Sequence, residues 1–273
     1  MYRCPTLQQS YNRYSYCLNN PLVYKDADGE FFSWTAFNAL TDVIGNLFTH
    51  GFAFKHYDFR RTVNSFNIDL GMFKGNFGQI LSRFYWEWPQ TFIGKNISQV
   101  QNTLFAVKSV SSYGGATVVE TYEQHWGAFT LGSYIYGSRG IEAKPDNYLF
   151  QHEYGHYLQS QASGLFYLQR YAVPSLVDAA GGSIHKYHPV EQDANIRAYQ
   201  YFMKHVQNFN TDYSDSKWNT YANDIIGYDW NLSYSDQRNQ AALKDRLVHP
   251  TVIDYLYPFN PVSIIFNILS LKQ

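Results

Sequence analysis

Apolar residues recur at helical spacing near the start of the chain, between residues 34 and 54. The apolar positions of this stripe are Phe37, Leu40, Val43, Ile44, Leu47 and Phe48. Spacings of three and four residues place them on one side of a helix and the polar residues on the other side. The pattern predicts an amphipathic helix over 34–54, and we expect its apolar side to face the protein core.

A different pattern, rich in Val, Thr, Tyr and Phe, begins near residue 103. It predicts three strands, at 104–110, 117–122 and 128–136. Two short segments, Gly114-Gly115 and Trp126-Gly127, separate these strands and are typical of turns. The middle of the chain is therefore expected to form a small sheet.

Helical signals return after the third predicted strand. Residues 145–147, Pro-Asp-Asn, are residue types that favour the start of a helix, and Gly164 is typical of a helix end. A helix is therefore predicted between them. A later helix begins at Pro189, a residue type suited to the first helical position. One stripe of that helix consists of Glu191, Ala194, Asn195, Ala198 and Phe202.

The composition and net charge of the chain exclude some classes of binding partner. The 273-residue chain has a net charge of −1, with 16% charged and 19% aromatic residues. A near-neutral chain lacks the broad basic surface that nucleic acids require, so we expect no nucleic-acid partner. No stretch approaches the roughly 20 apolar residues of a membrane span, so none is expected. Cys4 and Cys17 are too few for a disulfide scaffold or a four-thiolate zinc site.

The sharpest chemical signal is the segment His-Glu-Tyr-Gly-His at residues 152–156, inside the first predicted helix after the strands. Residues four apart lie on one face of a helix, so His152 and His156 can bind one Zn²⁺ through their ring nitrogens. Glu153 lies beside them, close enough to take a proton from a water at the metal. The segment therefore predicts a zinc site in which Glu153 is the catalytic base.

A zinc site of this kind requires a third protein ligand. Gln159 and Ala162 occupy the positions at which the metzincin pattern has Gly and His, so that class is excluded. Glu191, on the later helix, is one candidate for the third ligand. His185 and His188, in the loop that precedes this helix, are its rivals.

The two helical segments together resemble the gluzincin pattern, in which His-Glu-x-x-His is followed by Glu-x-x-Ala-Asp. Here the second part reads Glu-Gln-Asp-Ala-Asn over residues 191–195. The resemblance implies an α+β, zincin-like fold, with a small antiparallel or mixed sheet, an active-site helix and a glutamate-bearing helix. It also implies that Glu191 is the third ligand. Asn195 stands where the family has an Asp that accepts a hydrogen bond from the first ligand histidine, and its amide oxygen can accept without carrying charge.

The resemblance extends to the substrate. In gluzincins the edge strand before the active-site helix pairs with an extended peptide, which is an instance of strand addition. By that resemblance the strand at 128–136 is the substrate strand, and its candidate residues are Phe129, Leu131 and Ser133. Peptide hydrolysis also requires a group that stabilises the oxyanion. The candidates for that role are His185, Tyr187 and His188.

The start of the chain resembles another family. Residues 14–29 read Tyr-Ser-Tyr-Cys-Leu-Asn-Asn-Pro-Leu-Val-Tyr-Lys-Asp-Ala-Asp-Gly, similar to the closing segment of the Rhs repeat-associated core of Bacteroides-type proteins. Pro21, Asp26 and Gly29 fit that ending. In polymorphic toxins of this kind a variable C-terminal effector follows the core. The resemblance implies an exported or cell-surface protein with a cognate immunity protein as a partner.

These observations predict three parts: an Rhs-core remnant at 1–32, a helical and aromatic connecting region at 33–84, and a zincin-like metallopeptidase domain at 85–273. The expected activity is hydrolysis of peptide bonds in a peptide or protein substrate, with Zn²⁺ as cofactor. The alternative is a catalytically inactive zincin-like module that serves binding or structure. The presence of Glu153 favours the enzyme, because a structural zinc site has no use for a carboxylate at that position.

Overall fold

The computed structural model describes residues 33–124, 127–180, 187–207, 209, 225–229, 231–245 and 247–248. The chain divides into two compact units whose boundary in the sequence lies between Thr62 and Val63. The predicted Rhs remnant at 1–32 and the candidate residue His185 lie outside the described residues. The three-part division predicted from the sequence stays a prediction.

The predicted N-terminal helix is present as α1, Ser33–His50, but it faces the opposite way. We expected its apolar stripe to face the core, and instead that stripe is exposed, from 44% at Leu47 to 87% at Phe48. The residues that α1 buries are Asn38, Asp42 and Asn46. The expectation of a core-facing apolar side is therefore wrong.

Polar contacts explain this reversal within the first unit. The Asp42 carboxylate accepts hydrogen bonds from Arg61 Nε at 2.7 Å and from the Thr62 hydroxyl at 2.6 Å. Asn46 bonds the backbone of Asp58 through both its amide nitrogen and its amide oxygen, each at 2.9 Å. The spacing of apolar residues defines a stripe, but the side of a helix that packs inward depends on contacts with distant residues.

Three helices lead into a four-stranded mixed sheet. The helices are α2 (Arg60–Leu70), α3 (Phe77–Tyr85) and α4 (Trp88–Thr103). The strands are β1 (Val107–Tyr113), β2 (Ala116–Thr121), β3 (Ala128–Leu131) and β4 (Tyr134–Gly137), in the order β1-β2-β4-β3. β2 runs parallel to β4, and the β1–β2 and β3–β4 pairs are antiparallel. Together with the helices that follow, this confirms the α+β class.

The segment predicted as one strand at 128–136 is two strands. β3 and β4 are joined by a tight turn at Gly132 and Ser133, and Gly132 has φ +60°, a conformation that favours glycine. The alternation of apolar residues runs unbroken through the turn, so the pattern did not reveal it. As a result β3 lies beside β4 at the edge of the sheet that the described strands form.

The helices after the sheet are α5 (Tyr148–Ser163), α6 (Val173–Ala180), α7 (Pro189–His205) and α8 (Gln237–Asp245) within the described part of the chain. One face of the sheet contributes Val118 and Ile135 to a core that includes Phe150 and Tyr154 of α5 and Phe202 of α7. In the described residues, no helix has both the length and the apolar character that crossing a bilayer requires.

The opposite face of the sheet packs against α2 and α4. The Tyr134 hydroxyl donates to the Ile68 carbonyl at 2.7 Å. Gly94 of α4 lies so close to Leu131 and Tyr134 that a side chain there would collide with them. The sheet therefore separates the α5–α7 layer from α2 and α4.

α5 and α7 approach each other closely at one glycine. A Cβ atom on Gly155 would overlap the backbone carbonyl group of Ala194. Both residues are fully buried or nearly so, and both are small. The close approach brings the histidines of α5 next to the first turns of α7.

Gly155→Ala is expected to lower the free energy of unfolding by more than about 1–3 kcal/mol, because the added methyl group meets backbone that cannot rotate away. Thermal and denaturant unfolding measure this. The control is Gly45→Ala in α1, where an added Cβ has no atom within 4 Å. That variant should keep or gain stability, since Ala favours helix. An unchanged unfolding midpoint for Gly155→Ala would contradict the close approach.

Candidate metal and catalytic site

α5 forms where its capping residues predict. The Asn147 side chain accepts a hydrogen bond from the Phe150 backbone N–H at 3.0 Å and caps the helix. The helix ends at Ser163, and Gly164 follows with φ +54°. His152 and His156 lie one turn apart on this helix, with ring centroids separated by 4.8 Å. The predicted shared face is therefore present.

α7 supplies the third group. Pro189 occupies its first turn, and the His188 side chain caps the helix by accepting from the Val190 backbone N–H at 3.4 Å. Glu191 follows in the first turn and is completely buried. Pro189 has no N–H to satisfy and its φ suits this position, which explains why the helix begins here.

His152, His156 and Glu191 form a cluster that can hold a metal ion. Their donor atoms all lie within 4.8 Å of one another. Glu191 Oε2 lies 3.0 Å from His152 Nε2 and 3.2 Å from His156 Nε2. Two ligands bound at about 2.0–2.1 Å in tetrahedral geometry are about 3.3 Å apart. The observed nitrogen–oxygen separations therefore fit a metal site, and the cluster includes Glu191 and not His188.

The charges of the cluster are strongly coupled. Burial disfavours a charged imidazole, yet the adjacent Glu191 carboxylate raises the pKa of His156 to about 9. Burial would likewise raise the pKa of Glu191, but His156 and His152 hold it well below its usual range. In the metal-free protein the carboxylate is thus ionised and the groups are held together by charge. A bound divalent cation would replace the imidazolium proton as the positive charge that pairs with the Glu191 carboxylate.

Hydrogen bonds fix which ring nitrogen of each histidine faces the cluster. Asn195 Oδ1 lies 2.8 Å from His152 Nδ1, and this oxygen can only accept, so Nδ1 carries the hydrogen. The gluzincin resemblance implies this contact. Because Nδ1 is occupied, His152 presents Nε2 to the shared point, which is the orientation that a ligand needs.

A second hydrogen-bonded support, behind His156, was not predicted from the sequence. Gln159 Oε1 accepts from His156 Nδ1 at 2.7 Å, and Gln159 Nε2 donates to Asp193 Oδ2 at 2.7 Å. Asp193 also accepts from Arg197 Nε at 2.7 Å. Gln159 lies three residues after His156, which places it within reach on the same helix face, so the spacing could have revealed it. Asp193 gave no comparable signal.

Glu153 is held by a threonine of the edge strand. The Thr130 hydroxyl donates to Glu153 Oε2 at 2.7 Å. Glu153 is buried and follows His152 directly, so its carboxylate is positioned by the sheet as well as by α5. The buried hydroxyl of Tyr167 donates to the Thr130 carbonyl at 2.9 Å, and burial raises the pKa of this tyrosine. Thr130 and Tyr167 were not anticipated from the sequence.

The three candidate substrate-strand residues do not all lie on the edge strand. Phe129 and Leu131 lie on the edge strand β3, and the Phe129 ring packs against Tyr136 on the side of the sheet away from α5. Ser133 is not on that strand: it lies in the β3–β4 turn and is fully buried. Its assignment to the edge strand is therefore wrong. Thr130, between Phe129 and Leu131, is the strand residue that contacts the site.

The three candidate oxyanion-stabilising residues lie just before α7 in the sequence. His185 lies outside the described residues, and Tyr187 is 46% exposed. His188 uses its Nδ1 atom to cap α7.

A scan of protein-family models, a search of curated proteins and a search of solved structures each found no match.

Asn195→Asp is expected to keep or raise metal affinity. A charged acceptor behind His152 makes the ring more basic, and such partners are typically worth about 10–100-fold in affinity or activity. The measurement is zinc titration in competition with a chromophoric chelator. Asn195→Ala removes the acceptor and serves as the opposite case, with weaker binding. If Asn195→Asp bound zinc more weakly than Asn195→Ala, the role of this contact would be refuted.

Proposed function

We propose that the protein is a zinc-dependent metallopeptidase of the gluzincin-like type. The single observation that carries the proposal is the buried cluster of His152, His156 and Glu191 with the Glu153 carboxylate next to it on the same helix. Three protein ligands leave one position open for water or substrate, which is the arrangement of catalytic zinc sites. A purely structural site would be closed by a fourth ligand.

The donor set favours zinc among divalent cations. Two imidazole nitrogens and one carboxylate oxygen are the ligands of several hydrolytic zinc enzymes, whereas magnesium and calcium prefer oxygen ligands alone. His152 and His156 each have the second ring nitrogen held by an amide oxygen, so both rings are fixed before the metal arrives. Bound zinc would polarise the substrate carbonyl and acidify a water molecule.

We assign the proton transfers to Glu153 and supporting roles to Thr130 and Glu191. Glu153 accepts a proton from the attacking water and returns it to the nitrogen of the departing peptide segment. Thr130 holds the carboxylate through Oε2 and thereby limits its rotation. Glu191 stays ionised as a ligand, because the adjacent histidines keep its pKa well below the usual range. The oxyanion partner is Tyr187 or one of the loop histidines His185 and His188 in this proposal.

The sheet supports a zincin-like assignment and a peptide substrate. Among the described strands β3 is an edge strand, it pairs antiparallel with β4, and it packs against α5. An edge strand has unpaired backbone groups that an extended peptide can bind by strand addition. Since Thr130 of this strand contacts Glu153, a peptide paired with β3 would pass close to the catalytic base.

The biological setting follows from the N-terminal resemblance. We propose that the peptidase is the effector part of an Rhs-type polymorphic toxin, with a protein substrate and a cognate immunity protein. This part of the proposal rests on residues 14–29 alone. Export or display at the cell surface follows from the same resemblance.

The test is proteolysis by the zinc-loaded protein. The full chain is incubated with a proteome-derived peptide library, and new termini are identified by mass spectrometry. Cleavage should disappear with a zinc chelator and return when zinc is restored. Zinc-loaded protein that cleaves no peptide in the library would refute the peptidase and support the inactive zincin-like module.

A further inference from the structure

The segment α3–α4 carries its charges on the inside. Residues 77–105 contain three charged side chains, Arg83, Glu87 and Lys95, and all three are buried. Lys95 Nζ pairs with Asp69 at 2.9 Å, and both side chains are almost completely buried. Charged residues are rarely buried in proteins that water surrounds, and they are paired when they are.

Buried amides complete this polar interior. Gln99 Nε2 donates to Asp69 Oδ1 and to the Ser65 carbonyl, both at 2.9 Å. Gln90 Nε2 donates to the Gly164 carbonyl at 2.7 Å, which ties α4 to the end of α5. The inward side of α4 is therefore a hydrogen-bonded network and not an apolar seam.

The outward side of α3 and α4 is apolar. We define the α3–α4 face by six exposed side chains: Phe77, Leu81, Phe84, Trp88, Phe92 and Val100. Their exposed fractions range from 40% at Leu81 to 76% at Phe77. Large exposed apolar patches mark a protein–protein or a membrane contact.

The distribution of charge distinguishes these two kinds of contact. Protein interfaces have a polar rim and about one hydrogen bond per 100–200 Å², often with arginine. Residues 77–105 present no ionised side chain on their outward side, because all three of their charged side chains are buried. Lipid chains offer no hydrogen bonds. A protein surface that contacts them therefore has its polar residues inside and its apolar residues outside.

The first unit, considered by itself, has the same organisation. α1 buries Asn38, Asp42 and Asn46 and exposes its apolar stripe. Buried polar residues and exposed apolar residues thus occur together in both units of the chain. From this arrangement we propose that the α3–α4 face docks onto a phospholipid bilayer, with its aromatic residues in the acyl layer and the helices in the plane of the interface. This proposal is independent of the metal site and of the peptidase activity.

Vesicle flotation tests the proposal. The full chain is mixed with phosphatidylcholine vesicles and floated through a sucrose gradient at about 0.5 M salt, where electrostatic attraction is screened. Wild type should float with the vesicles. The double variant Phe77→Gln/Phe92→Gln should partition at least about tenfold less, because two exposed aromatic anchors are lost.

The matched control is Leu176→Gln, which changes a 70% exposed apolar residue on α6, a helix that is not part of the α3–α4 face. It should float like wild type. Circular dichroism and thermal unfolding show that each variant is folded. Folded wild type that stays unbound overturns the proposal, as does equal loss of binding in the control. A dimer in light scattering that the double variant abolishes, without vesicle binding, would assign the face to a second copy of the chain instead.

Discussion

Glu153→Gln is expected to abolish peptide hydrolysis while leaving metal content and stability close to those of wild type. Glutamine has the same shape and can still accept the hydrogen bond from Thr130, but it cannot take a proton from water. General-base catalysis typically contributes about 10²–10⁴-fold, so kcat should fall by at least that factor. Initial rates on a cleaved peptide and zinc analysis of the same preparation measure both quantities.

The control for this variant is Glu142→Gln, which makes the same chemical change at an exposed glutamate paired with Lys144. That variant should hydrolyse peptides at the rate of wild type. If Glu153→Gln cleaved as fast as wild type, Glu153 would not be the base. If it lost zinc, the carboxylate would be needed for metal binding.

Glu191→Gln is expected to weaken zinc binding by more than about 100-fold, because a neutral amide replaces the only anionic ligand of the cluster. His156→Ala should lose the metal as well. Competition titration gives the affinity, and metal analysis of the purified protein gives the content. Circular dichroism is recorded in parallel, since Glu191 is completely buried and its replacement also removes two contacts to histidine.

His188→Ala and His185→Ala are the comparison variants. Both should keep their zinc, although turnover slows if either residue stabilises the oxyanion. His188→Ala also removes the side-chain cap of α7 and should cost about 0.5–2 kcal/mol of stability. Normal zinc affinity in Glu191→Gln, together with lost zinc in His188→Ala, would overturn the assignment of the third ligand.

Local spacing made much of the candidate site predictable. His152 and His156 share a face because four residues make about one helical turn, and the caps at Asn147 and Gly164 fix where that helix begins and ends. Pro189 set the start of α7 in the same way. Each of these features depends on residues close together in the chain, which is the information that a single sequence carries.

Features that depend on distant residues were not predictable. The inward side of α1 is set by Arg61 and Thr62, and the bond from Thr130 to Glu153 joins a strand to a helix. Asp193 reaches His156 only through Gln159, across two helices. The turn at Gly132 was hidden for a different reason, because the residues on both sides continue the strand pattern.

The first two turns of α7 have a consequence for the lifetime of the protein. Glu191, Asp193 and Asn195 all lie there, and each of them contacts a residue of α5: Glu191 contacts His156, Asp193 contacts Gln159 and Asn195 contacts His152. A cation held between the two helices would bind the native chain and not the unfolded chain, so mass action would stabilise the fold. The gain is about 2.7 kcal/mol at a free metal concentration of 100 Kd and about 4.1 kcal/mol at 1,000 Kd. The supply of free metal in the surroundings would then govern how long the protein resists unfolding and degradation, whatever substrate it meets.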